Sequence, residues 1–549
     1  MNTLFRGGRV FTPKADFAEA GFAEAGFAEA GFAEAVLVRD GVIAAVGDER
    51  ELVRLAPGHE TVDLAGGLLV PGFTDAHVHP VQAGLERAKC DLSEIYGLDA
   101  YLAKIADYAA KNPEKEWIYG GGWDMSAFPG GLPHRDQLAF ADRPVYLIQR
   151  DHHAAWVNTR ALELAGVTAE TPDPADGRIE RDADGTPSGV LHEGAMDLVG
   201  LLTPRPTAQD LDRALAEAER YLFSLGITGW QDAIVGSYAG SVDQLPTYVS
   251  AAGSGRLRAR VVGALWWDRT RGLEQLDDLV ARRASAEGLD RFRATSVKIM
   301  QDGITENFTA ATLEPYCLCG GTGLSYVDPA KLRTYVAELD RLGFQAHVHA
   351  IGERAVREAL DSLEGTSPAN RHHIAHLQII EPSDVPRFAA LGVTANLQPL
   401  WATHHAQMDE LTLPFLGEPR SSWQYPFADL LAHGTRFCAG SDWPVSSADP
   451  LQGMHVAVNR TEPGGSVHAG YPTAQTPFLP GQRLDLATAL TAYTAGSAWI
   501  NRSPAGVIEP GRPADLVVLD RDPFTLPERD IWTTRARMTF VDGIAVHEG

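Results

Sequence analysis

From residue 68 to residue 442 the chain alternates apolar runs of strand length with amphipathic stretches of helical period. Near-continuous apolar strands separated by amphipathic helices are the pattern of a parallel sheet buried on both faces. Eight such runs occur: Leu68 to His77, Ile227 to Asp232, Ala259 to Trp267, Ala294 to Gln301, Phe344 to His349, His373 to Gln378, Val393 to Gln398 and Arg436 to Asp442. Eight units predict an α/β chain folded as a (β/α)8 TIM barrel, whose chemistry collects at the C-terminal strand ends. About 150 residues separate the first run from the second, far more than one βα unit needs. An insertion at about 81–225 is therefore expected, with Trp117 to Met196 forming a lid or subdomain over the barrel mouth.

The flanks have a different rhythm. Short strands at Thr3 to Phe11, Ala35 to Arg39, Val42 to Val46 and Glu60 to Leu64 are separated by turns, and Gly506 to Asp520 and Met538 to Val546 read the same way. Both termini together are expected to build one small β-sandwich, residues 1–70 and 505–549, around a barrel at 71–504. Within the first part, Asp16 to Ala35 carries GFAEA three times over. A period of five matches neither helix nor strand and is too short for a solenoid, so the tract reads as an expanded hairpin loop without a part in the chemistry.

Composition narrows the function classes. With 44% apolar and 22% charged residues in 549, the chain is globular, and 47 basic against 72 acidic side chains argue against nucleic acid or an anionic membrane as partner. No apolar stretch approaches the roughly 20 residues of a membrane span, and the start lacks a signal-peptide core, so a cytoplasmic location is expected. Four cysteines, Cys90, Cys317, Cys319 and Cys438, suit a reducing compartment; the Cys317-x-Cys319 pair reads as loop thiols sooner than as a metal site.

Candidate chemistry sits at the ends of the apolar runs. In Gly72-Phe-Thr-Asp-Ala-His-Val-His-Pro80, His77 and His79 point the same way from a strand, a spacing that can grip one ion. Other runs carry Lys298, the pair His347 and His349, His376, and Asp442. A lysine in an apolar strand bears a desolvation cost unless it pairs, for example with Asp302, or changes its chemistry by taking up carbon dioxide as a carbamate. No G-x-x-x-x-G-K-[ST], strand-linked G-x-G-x-x-G or G-x-S-x-G is present, which sets aside nucleotide-binding and serine-hydrolase chemistries.

Seven motifs carry a resemblance: Pro71 to His79, Gly121-Gly-Trp-Asp124, Gly189-Val-Leu-His-Glu193, Val297 to Gly303, His349 to Ala355, His376-Leu-Gln378 and Gly440-Ser-Asp442. Through them the chain resembles the amidohydrolase superfamily, and within it the branch that includes N-substituted formamide deformylases. The resemblance implies metal binding by His77, His79, His349, His376 and Asp442, with Lys298 as a carboxylated bridge and one or two divalent ions, zinc by expectation. His347 stays a rival to His349, whereas His376 outranks His372 and His373 because Leu-Gln follows it. Glu353 stands where the family has Asp, and His152-His153 where it has a Gly-His pair.

The implied reaction is hydrolysis of an amide-type C–N bond, N-formyl or N-acyl. A divalent cation lowers the pKa of bound water to about 7; Asp442 then either carries that proton to the departing amine or serves as a ligand only. Trp123, Asp124, His153, Trp156 and Glu193 in the insertion, with Asp302, are candidates for contacting a small-molecule substrate. Deamination of an amino-heterocycle is the alternative, disfavoured by Lys298, and a non-catalytic binding barrel is a third reading. A homodimer is the expected assembly.

Overall fold

The computed structural model describes residues 2–13, 31–55, 58–238 and 241–549. Its centre is an eight-stranded parallel sheet, nearly closed on itself. The strands are β1 (Phe73–Val78), β2 (Ile227–Val235), β3 (Arg260–Trp266), β4 (Phe292–Met300), β5 (Gln345–Ala350), β6 (His373–His376), β7 (Thr394–Leu397) and β8 (Phe437–Ala439). Each expected run supplies one strand, and the sheet follows chain order from β1 to β8. Helices such as Ala208–Ser224, Pro329–Arg341 and Glu353–Leu363 bury their apolar faces against the strands, as their helical-period patterns require. The seam between β8 and β1 is tight: a Cβ on Gly440 would lie 2.5 Å from the His77 amide nitrogen, so only glycine lets the two approach.

Two boundaries differ from the sequence reading. The first run divides, because Leu68–Pro71 pairs with Arg9–Thr12 and Leu516–Leu519 in the terminal domain and only Phe73–Val78 enters the barrel. The sixth and eighth strands end early, at His376 and Ala439. Backbone sterics explain this: His376, Leu377 and Asp442 have φ of 78°, 52° and 58°, left-handed values that cannot continue a strand.

The terminal strands form a four-stranded and a six-stranded sheet. Their shared core mixes both ends of the chain, with Phe5, Val10, Val36 and Leu69 against Leu516, Val518 and Phe540. Arg9–Thr12 and Gly31–Ala33 pair antiparallel, so the expected hairpin has its stem; the GFAEA loop between them, residues 14–30, lies outside the described residues. Arg260 of β3 pairs with Asp515 at 2.7 Å and ties this domain to the barrel.

The insertion after β1 builds its own six-stranded sheet from strands between Cys90 and Glu193. Trp123, Phe128 and Trp156 fill its core, which continues onto Ile304, Ile379 and Phe415 from barrel loops. The insertion is thereby cemented over the mouth of the barrel. Among the described residues no helix is long and apolar enough to cross a membrane.

Candidate metal centre and active site

Strand alternation sends His77 of β1, Lys298 of β4 and His349 of β5 toward the barrel interior, and the ends of β6 and β8 add His376 and Asp442. Ligand-type atoms of His77, His376 and Asp442 lie within 4.8 Å of one another, and all three residues are buried. Asp442 Oδ1 is 3.3 Å from His77 Nε2 and 3.0 Å from His79 Nε2, yet it has no hydrogen bond of proper geometry to either. Both ring nitrogens of His376 are likewise buried without a partner. The His376 ring sits 4.3 Å from that of His349 and stacks on Trp401 at 5.3 Å. Lys298 Nζ approaches His77 Nε2 at 3.2 Å.

Lone pairs crowded around one point without protons to share are costly in a protein interior unless a cation joins them. The donors are imidazole nitrogens and a carboxylate, the set that holds divalent ions of the zinc type. These residues therefore fit a metal ion. Their electrostatics agree, since a ligand imidazole must be neutral. Burial, then the Lys298 charge, pushes His77 down to about 3, and burial holds His349 and His376 well below the usual range. Burial also brings Lys298 down to about 7. For Asp442 burial works upward, but His77 and His79 outweigh it and keep the carboxyl well below its ordinary value.

Asp75 stitches the centre together from behind. Its Oδ1 accepts the amides of His77 at 3.0 Å and Ser441 at 3.1 Å, and its Oδ2 accepts the Ser441 hydroxyl at 2.6 Å. It thus pins the His77 strand to the Asp442 turn. The sequence reading passed over this residue, although it lies inside the motif that exposed His77; the signal was a buried-strand aspartate two residues before a ligand.

The cavity above the ligands measures about 520 Å³ and is lined on one side by the barrel rim and on the other by the insertion. Asp124 and His153 line it; Trp123 and Trp156 instead fill the insertion core. Glu193 lies behind His153 and accepts its Nδ1–H at 2.8 Å. This pairing raises His153 against the lowering effect of burial, and brings Glu193 to about 2 despite its own burial. Asp302 is fully buried and accepts the amides of Ala311, Ile351 and Gly352 at 2.9, 3.0 and 2.8 Å, with His349 Nε2 at 3.6 Å. It holds the loops that carry His349 rather than pairing with Lys298. Glu353, at the Asp position of the family motif, accepts the Leu313 amide at 3.0 Å. Cys317 and Cys319 are exposed free thiols.

The insertion also places His152, the added imidazole of the His152-His153 pair, at the cavity, together with Arg150, which the sequence reading did not single out. His152 holds φ of 65°, a left-handed backbone that glycine adopts without cost. Its ring is held by Gln82 at 2.5 Å and Glu86 at 3.4 Å, both on the helix Pro80–Arg87. Arg150 lies 3.0 Å from His468 and 3.5 Å from Asp124 at the distal end of the cavity.

Known proteins are similar to this chain over nearly its whole length. An N-substituted formamide deformylase of Arthrobacter pascens is 28% identical over 94% of this chain and 95% of its own length. LONG AFTER FAR-RED 3 of Arabidopsis thaliana is 31% identical, covering 93% of this chain and 87% of that protein. The crystal structure of an uncharacterized metal-dependent hydrolase from Pyrococcus horikoshii superimposes with a TM-score of 0.71 at 25% identity, across 96% of this chain and 99% of the other. The amidohydrolase family profile matches residues 60–547, almost the whole length, and this chain belongs to that family.

Proposed function

We propose that the protein is a metal-dependent hydrolase of a C–N bond of amide type, with an N-formyl or N-acyl compound as substrate. The observation that carries this reading is the buried cluster of His77, His376 and Asp442, with His79 Nε2 3.0 Å from the same carboxylate, at the floor of a cavity large enough for a small molecule. His349, whose ring lies beside that of His376, would join the cluster as a ligand, and Lys298, beside His77, would add an anionic ligand if its amine took up carbon dioxide as a carbamate. The ion supplies Lewis-acid polarisation of a carbonyl and hydroxide at neutral pH.

The chain's own residues supply the rest. Asp442 is ionised and lies at the meeting point of the ligands, so it can accept the proton of the attacking water and return it to the departing amine. His153, its Nδ1–H anchored on Glu193, presents Nε2 to the cavity and orients the scissile group. The insertion closes the cavity from above and limits competing water. A similar protein named for deformylation supports the choice of bond.

The test combines metal analysis of the purified protein with a screen of N-formyl, N-acyl, carbamate and cyclic imide compounds. Turnover of an amide by the metal-loaded protein is expected. Turnover confined to amino-heterocycles would replace hydrolysis of amides by deamination.

A further inference from the structure

Two fully buried imidazoles that this chemistry does not use lie below the metal centre. His347, one inward step beneath His349 on β5, pairs in register with His373 of β6, and their rings are 4.1 Å apart. His347 Nε2 is 2.8 Å from His77 Nδ1. At the other end, Asn396 Nδ2 donates to the Ala76 carbonyl at 2.9 Å and to His373 Nδ1 at 3.1 Å.

The proton positions in this chain can be counted. The Ala76 carbonyl only accepts, and Gln398 Nε2 donates to Asn396 Oδ1 at 3.1 Å while its Oε1 accepts the His376 amide at 2.7 Å. The Asn396 amide is therefore fixed, His373 Nδ1 is an acceptor, and neutral His373 carries its proton on Nε2. The 2.8 Å contact between His347 Nε2 and His77 Nδ1 holds one proton, on either ring, and Lys298 Nζ lies 3.2 Å from the other nitrogen of His77, Nε2. A ligand lone pair on His77 Nε2 requires the His77 proton on Nδ1 and, for a neutral His347, its proton on Nδ1 as well.

We infer that His347 is the positioning residue that sets the tautomer of His77: its Nε2 accepts the His77 Nδ1–H and so leaves the lone pair of His77 Nε2 to the metal. The inference rests on the metal reading of the site. The loaded arrangement leaves His347 Nδ1–H and His373 Nε2–H both as donors, and in the structure neither nitrogen has an acceptor. The acceptor on His347 keeps the His77 ring aimed.

Zinc affinity measured by chelator competition tests the proposal without reference to turnover. His347→Leu, which removes the acceptor, is expected to weaken zinc binding about 10- to 100-fold, the usual effect of losing a hydrogen-bond partner of a ligand imidazole. His347→Gln, which keeps an accepting oxygen, should restore most of it, and His373→Leu, which leaves that acceptor in place, should bind as the wild type. Wild-type affinity in a folded His347→Leu protein, or equal loss in the Leu and Gln variants, would overturn the inference. Should the Leu variant not fold, histidine ring NMR of the zinc-loaded wild-type chain decides: His77 must carry its proton on Nδ1 and His347 must have an unprotonated Nε2, and a proton on His347 Nε2 rejects the inference. A wild-type chain that binds no zinc would instead refute the metal reading itself.

Discussion

The barrel rim and the insertion both offer histidines to one cavity, and they treat them in opposite ways. On the rim His77, His349 and His376 crowd one another beside Lys298, and burial drives each downward, so they remain neutral. On the insertion His152 faces Glu86 and His153 faces Glu193, and these carboxylates outweigh burial and raise both rings. The same residue type thus becomes a lone-pair donor on one wall and a clamped hydrogen-bonding group on the other. What differs is the balance: on the rim burial, Lys298 and other imidazoles outweigh Asp442, whereas on the insertion the carboxylates prevail. The two walls share one backbone device. Regular strands aim His77, Lys298 and His349, but left-handed residues aim His376 and Asp442 on the rim, φ 78° and 58°, as they do His152 and Glu193 on the insertion, φ 65° and 51°.

The largest effect should come from breaking the rim. Asp442→Ala or His376→Ala is expected to lose metal and to lower kcat/KM by at least about a thousandfold, roughly 4 kcal/mol. Metal content and steady-state kinetics measured together check this, and chelation followed by re-addition of a divalent ion should abolish and restore the wild-type activity.

Next in size is the seam where the two walls meet. Burial, then the nearby charge of Asp151, pushes Glu306 up to about 7 from an unfolded value of 4.5. Because the folded carboxyl resists ionisation, the native state loses stability as pH rises from 4.5 through about 7. Glu306→Gln removes that loss, so its thermal midpoint should exceed the wild type's at pH 8, by up to about 3 kcal/mol of stability, and match it at pH 4.5. Equal shifts at both pH values in calorimetry would contradict the burial argument.

Severing the insertion clamp should cost less and should spare the metal. Glu193→Gln weakens a charge-assisted hydrogen bond worth about 1.5–3 kcal/mol, so kcat/KM should fall about 10- to 100-fold with unchanged zinc content. Metal loss in this variant would mean that the two walls are not separable. The smallest effect belongs to His152→Gly, which relieves a left-handed backbone but frees Gln82 and Glu86. Stability should move by no more than about 1 kcal/mol, while KM shifts and kcat stays near the wild type. Paired melting curves and substrate titrations would show it.

Much of the rim was legible before any coordinates. The apolar runs share one periodicity, and strand alternation carries His77, Lys298 and His349 to the same interior, while left-handed residues at the ends of two later runs add His376 and Asp442. The insertion was legible as a segment but not as a wall. Trp123 and Trp156 looked like cavity aromatics and became its core, while His152 looked like a mere departure from a family pair and became a clamped group at the mouth.

By itself the sequence determined the number of strands, the division into barrel, insertion and terminal domain, and which strand ends carry ligand-type residues, because these follow from local period and residue chemistry. Only the tertiary structure decided that Leu68–Pro71 leaves the barrel, that His347 points at His77 from below while His349 opens to the cavity, and that Asp75 and Glu193 brace their histidines. The reason is that hydrogen-bond partners and burial arise between segments far apart in the chain, where no periodicity records which donor will meet which acceptor.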